Sequence, residues 1–149
     1  MKSSMPVWDV HRSELLRQCI GLPLRDLNAE AFHFEGVRNP GVSRLFLDFG
    51  QWLSVFDDAG AWFIAERSPE ERQVITDEGV RVQWTTLGMG AMDPALTAFI
   101  GKRLQRISIT ADREELQLVF EGEGKIVLSS GRMAEGGGLD EGFVVTVRT

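Results

Sequence analysis

The sequence predicts one α+β domain assembled from two pseudo-repeated halves, each a short helix followed by antiparallel strands. First, the segment Leu16-Arg17-Gln18-Cys19-Ile20-Gly21-Leu22-Pro23-Leu24 returns eighty positions later as Leu96-Thr97-Ala98-Phe99-Ile100-Gly101-Lys102-Arg103-Leu104, with leucine, isoleucine, glycine and leucine kept in place. Second, Leu45-Phe46-Leu47-Asp48-Phe49 and Leu116-Gln117-Leu118-Val119-Phe120 each set Leu, Leu and Phe two residues apart, on one face of a strand. Third, the 149 residues are 43% hydrophobic, which is enough apolar material for one core and too little chain for two stacked domains.

In the first half, about residues 9–66, Asp9 is placed to cap a helix running through Leu15, Leu16 and Cys19, and Gly21 stands just past its end. Leu22, Leu24 and Leu27 then begin a strand. Glu35-Gly36-Val37-Arg38-Asn39-Pro40-Gly41 gathers Gly, Asn and Pro into a loop. Gly50-Gln51 reverses the chain into Trp52-Leu53-Ser54-Val55-Phe56, and Asp58-Ala59-Gly60 turns it into Ala61-Trp62-Phe63-Ile64. Residues 67–92 read as a linker, with a turn at Ser68-Pro69-Glu70-Glu71-Arg72, a strand at Val80-Arg81-Val82-Gln83-Trp84-Thr85 and a flexible stretch at Gly88-Met89-Gly90-Ala91-Met92.

In the second half, residues 93–149, Asp93-Pro94 joins a good N-cap to a proline at the first helical position, so a helix is expected over about 94–100. Leu104, Ile107 and Ile109 follow as a strand, and Glu121-Gly122-Glu123-Gly124 closes a hairpin into Lys125-Ile126-Val127-Leu128-Ser129. Asp140-Glu141-Gly142 leads into a last strand and is aligned with Asp58-Ala59-Gly60, which sets Val144 level with Trp62. Ile20 and Ile100 are expected in related buried positions. The run from Gly131 to Gly138 holds four glycines, as a mobile segment or one shaped around a ligand.

Acidic residues outnumber basic ones 22 to 16, for a net charge of −6, which disfavours nucleic acid and anionic lipid as partners. Cys19 is the single cysteine, so no internal disulfide and no Cys-rich metal site is expected. The sequence has no apolar run of about 18 residues and no charged-then-apolar leader pattern at its start, so neither a membrane span nor secretion is expected; the expected compartment is the cytoplasm.

His11 and His33 stand apart from any HExxH, CxxC, GxSxG or P-loop pattern, and no catalytic residue, cofactor or metal is expected. Cys19 aligns with Phe99 on the apolar face of a helix, which is core packing. Asp48, Asp57 and Asp58 flank the first hairpin, where a pair could converge for acid–base work, although Asp57-Asp58 before Ala59-Gly60 is also ordinary turn chemistry. Among four Trp and nine Phe, Trp62 and Trp84 are candidates for an exposed contact surface, with core packing as the alternative.

The segments Ile100-Gly101-Lys102-Arg103-Leu104-Gln105-Arg106-Ile107, Leu116-Gln117-Leu118-Val119-Phe120 and Ile126-Val127-Leu128 resemble a pattern of small bacterial proteins, among them immunity proteins of contact-dependent growth inhibition and related polymorphic toxin systems. The resemblance implies a non-enzymatic protein that binds and blocks the toxic domain of a partner, often a basic nuclease; it carries no functional residue across. Charge suggests where such a partner would dock. Glu114, Glu115, Glu121 and Glu123 lie in a stretch with five carboxylates and one arginine, so they are expected to steer a basic toxin domain, with Trp62 and Trp84 as apolar anchors. The alternative is a small-molecule binder or enzyme using a cleft between the halves, with Asp48 or Asp57 at its edge.

Overall fold

A computed structural model describes residues 8–9, 14–58, 61–110, 115–122, 124–130 and 142–148. Strands β1 (Trp8–Asp9), β2 (Asp26–Phe34), β3 (Val37–Arg38), β4 (Arg44–Asp48), β5 (Trp52–Asp58), β6 (Ala61–Glu66), β7 (Arg72–Ile75) and β8 (Arg81–Leu87) form a large sheet in the order β1-β6-β5-β4-β2-β8-β7, with β3 beside β2. Strands β9 (Leu104–Ile109), β10 (Glu115–Phe120), β11 (Lys125–Ser130) and β12 (Phe143–Arg148) form a second sheet in the order β12-β11-β10-β9. Neighbouring strands pair antiparallel, as the short turns and alternating pattern require.

The described first helix is shorter than expected and the second lies close to its expected bounds; strands dominate, so the molecule is a sheet-dominated fold and not a balanced α+β one. The described helices are α1 (Glu14–Arg17), α2 (Met89–Met92) and a 3-10 helix over Pro94–Phe99. Asp9, the expected cap, lies in strand β1 opposite Phe63. Asp93 does cap a helix: its side chain accepts from the Ala95 N–H at 3.0 Å.

The two inner faces share one core. Leu27 and Ala29, Leu45 and Leu47, Leu53 and Val55, and Trp62 and Ile64 alternate along four strands of the large sheet and meet Leu116, Leu118, Phe120, Ile126, Leu128, Phe143 and Val145 of the small one. Leu104 and Ile107 share the inner face despite their odd spacing, because the β9–β10 register shifts between Val119 and Phe120; an inserted residue restores the face.

Strands β9, β10, β11 and β12 stand side by side in the order in which β2, β4, β5 and β6 do. The registers correct the alignment of the last strands by one position. Asp57 lies opposite Trp62 and Ser130 opposite Phe143, so Phe143, not Val144, is level with Trp62. A slip of one reverses every side chain, which is why Phe143 is buried and Val144 exposed.

The two Ile-Gly segments clasp each other. Gly21 N donates to Leu104 O at 2.8 Å and Gly101 N to Leu24 O at 2.7 Å, while Leu24 N donates to Lys102 O and Leu104 N to Leu22 O. Pro23 and Arg103 form an antiparallel bridge between them. Both glycines have left-handed backbone, φ 93° and 90°, where a Cβ would be strained. The expected burial of Ile20 and Ile100 is not met: they are 44% and 38% exposed. Leu16 and Cys19, and Leu96 and Phe99, already fill the inward positions, so the next residue faces out.

Residues 67–92 are not a mere linker. The β7–β8 hairpin extends the large sheet, with β8 pairing along β2 from Ala29↔Leu87 to Phe34↔Val82. The Gly88–Met92 stretch contains α2, whose Met89 and Met92 pack against the core.

Candidate functional site

The outward faces of the two sheets differ sharply in chemistry. On the small sheet, Arg148 grips Glu115 through two nitrogens at 2.7 and 3.2 Å, Gln117 donates to Glu115, and Lys125 donates to Gln117 at 3.4 Å. This is a polar, hydrogen-bonded ladder, which shares its face with Val119, Val127 and Val144. On the large sheet, the matching outward positions hold Phe32 and Phe34 of β2, Phe46 of β4, Phe56 of β5, Phe63 of β6 and Trp84 of β8, placed on one face by period two and cross-strand register.

At the centre of that face is a buried carboxylate. Glu30 lies between Ala29 and Ala31 and is nearly inaccessible. Ser43 Oγ donates to Glu30 Oε1 at 2.8 Å, Arg72 Nη1 donates to Oε2 at 3.1 Å, and Arg44 Nε stands 3.8 Å from Oε1. Each guanidinium also lies over an aromatic ring: Arg44 is 4.3 Å from the centroid of Phe56 and Arg72 is 4.1 Å from that of Trp84. Arg44 donates to the buried Ser54 hydroxyl at 3.3 Å. Burial, then the Arg67 charge, pulls the Arg44 guanidinium down to about 10, while Glu30 acts in the opposite sense.

Beyond the charged centre the face turns apolar. Val37 pairs with Phe34, Phe34 with Val82 and Val82 with Val74, so the four form one row across β3, β2, β8 and β7. Val37, Phe34 and Val74 are 71%, 53% and 47% exposed. The next row, Phe32–Trp84–Arg72, borders a cavity of about 230 Å3 lined by Phe32, Trp84, Asn39, Gly41, Val42, Ser43 and Gly142. Phe32 and Trp84 meet at 5.4 Å in a tilted pair.

Of the acidic residues singled out from the sequence, Glu115 and Glu121 are described, and both have partners. Glu115 is held by Arg148, and Glu121 Oε1 accepts from the Arg103 N–H at 3.0 Å. Glu114, Glu123, His11 and the glycines at 131–138 lie outside the described residues. Trp62 is 2% exposed with its ring against Phe143 at 5.4 Å, so it serves the core and offers no contact surface; Trp84 does lie on the aromatic face. His33 Nε2 is 3.0 Å from Thr85 Oγ1. Asp48 takes the Gly50 N–H, which is turn chemistry, and Asp57 accepts from Ser130 of the small sheet at 2.9 Å. Burial pushes the Cys19 thiol up to about 11, which keeps it protonated and unreactive at neutral pH.

Glu30, Arg44, Arg72 and Phe34 were missed by sequence reasoning. One signal was available: a glutamate flanked by alanines in the middle of a β-pattern is a charge where the pattern demands burial. Among the described residues no three His, Cys, Asp or Glu side chains gather as metal ligands, and no helix is long and apolar enough to cross a membrane. Comparison with family models, with curated proteins and with solved structures finds no match.

Proposed function

We propose that this chain is a non-catalytic protein-binding domain of the immunity type, which binds and neutralises a cognate toxin domain in the cytoplasm, and that its contact surface is the outward face of the large sheet. The observation that carries the reading is the exposed row Val37–Phe34–Val82–Val74 beside Trp84 and Arg72. Contiguous exposed apolar surface marks an interaction site, and Trp and Arg dominate the energetics of such sites. The small sheet supports the reading as a partial contrast, since its outward face carries a polar ladder with one exposed valine, Val144.

In this reading the halves are pseudo-repeats, supported by the shared strand order and the crossed Ile-Gly turns, and only the first half has acquired a binding face. The net charge of −6 favours a basic domain during approach, while the face itself sets the lifetime of the complex. The second reading, a small molecule held between the halves, has one observation in its favour: Gly142 of the second half joins the cavity lining. At about 230 Å3 that cavity is smaller than the roughly 300–1,000 Å3 of sites for drug-sized ligands.

The test is calorimetric titration of the protein with the product of its neighbouring gene. Binding is expected, with Phe34→Ser and Trp84→Ala each weakening it by about tenfold or more and Glu115→Gln changing it little. If that product does not bind, the immunity reading fails; if it binds with equal affinity to all variants, the face is wrong.

A further inference from the structure

We infer that the arginine-bearing middle of the large sheet's outward face is a carboxylate-recognition site that takes an acidic, apolar-flanked segment of a partner protein. The inference rests on the protein-binding reading and departs from a basic partner at the point of contact. Arg44 and Arg72 flank Glu30 at the centre of this face, Arg67 acts on Arg44 through its charge, and Glu71 lies beside them on Thr86, the residue paired with Glu30. Glu30 is already engaged by Ser43, Arg72 and Arg44, so it holds these two arginines in place and leaves them N–H donors to spare. Glu71, the nearest acidic residue along the chain, directs Oε2 to the backbone and hydroxyl of Thr86.

The arginines are also oriented. Phe56 and Trp84 each hold one guanidinium over the ring, and each guanidinium has five N–H groups of which the described contacts use one or two. A planar fork with spare donors in a partly buried setting matches a carboxylate by paired hydrogen bonds. The apolar row Val37–Phe34–Val82–Val74 runs beside the Arg72 row, so a segment with carboxylates next to apolar side chains meets both at once. Burial and the Arg67 charge both weaken the hold of Arg44 on its proton, a strain that an incoming carboxylate relieves.

The probes are three short peptides of one apolar pattern, carrying Asp/Glu, Asn/Gln or Lys/Arg at the polar positions, titrated into the full chain and followed by calorimetry and by the Trp84 indole N–H resonance. The acidic peptide is expected to bind about tenfold more tightly than the amide peptide, and the basic one not measurably. Arg67→Gln, at a half-buried side chain, removes at least about threefold of that preference. Arg72→Lys keeps the charge beside Glu30 and the fold but loses the planar fork, and lowers it further. Equal binding of all three peptides, or a preference untouched by Arg67→Gln, overturns the inference, as does protection by inorganic phosphate where the acidic peptide fails. Binding of the neighbouring gene product without acidic preference overturns this inference and leaves the proposed function standing; the reverse result does the opposite.

Discussion

Glu30 is a residue whose removal is felt by its neighbours more than by itself. Glu30→Ala leaves Arg44 and Arg72 facing each other with no counter-charge and frees the Ser43 hydroxyl. A loss of about 2–4 kcal/mol is expected, below the upper range for fully buried pairs because both arginines keep some water contact. Urea denaturation checks it as a lower midpoint with unchanged slope, and the double change Glu30→Leu with Arg44→Met is expected to recover part of the loss. Cys19 makes a second prediction. Its thiol is raised in the folded state to about 11 from the usual 9.0, so the folded chain binds that proton more tightly. The stabilisation is complete below the unfolded value and is lost as pH rises through about 9 to 11. Denaturation midpoints measured at either end of this window should fall less in Cys19→Ala than in the native chain, a comparison that separates the thiol from the opposing tendency of Arg44.

At the level of elements, the two crossed turns are expected to respond alike. Gly21→Ala and Gly101→Ala have open space for a methyl group, so each costs the left-handed backbone alone, about 1–2 kcal/mol, and the two values should agree. Thermal melts of the two variants decide it. These turns were legible in the sequence because an Ile-Gly stop is local chemistry, and so were the hairpins at Gly50 and Gly122 and the Asp93 cap. The length of the first helix was not, because pairing of β1 with β6 draws Asp9 into a strand, a choice made by a segment more than fifty residues away. The β7–β8 hairpin was read as connection for the same reason: its place beside β2 depends on strand order, which alternation does not encode. Of the candidate site, Trp84 was legible from residue type alone. The Glu30 cluster was not, since Ser43, Arg44 and Arg72 reach it only when β4 and β7 take their places in the sheet.

Across the whole molecule, one place where the two sheets meet is backbone on backbone. Val42 and Phe143 exchange hydrogen bonds at 2.9 Å, and a Cβ on Gly41 would stand 2.9 Å from the Phe143 carbonyl oxygen. Gly41→Ala therefore pushes β12 off the large sheet and is expected to lower stability by about 1–3 kcal/mol while altering the cavity it lines. The crossed turns join the sheets at another point and close late in folding. Each links backbone groups about eighty residues apart, so the chain must close a loop of about that length before the first of these bonds can form, whereas the hairpins of β4–β5 and β10–β11 close within a few residues. The hairpins come first and the clasp last. Refolding is expected to run in the slow range of β-proteins, because pairing of β2 with β8 already joins distant segments of the chain. Gly101→Ala, acting on contacts made after the barrier, should speed unfolding in stopped-flow experiments and leave the refolding rate nearly unchanged, so the clasp governs how long a folded molecule lasts.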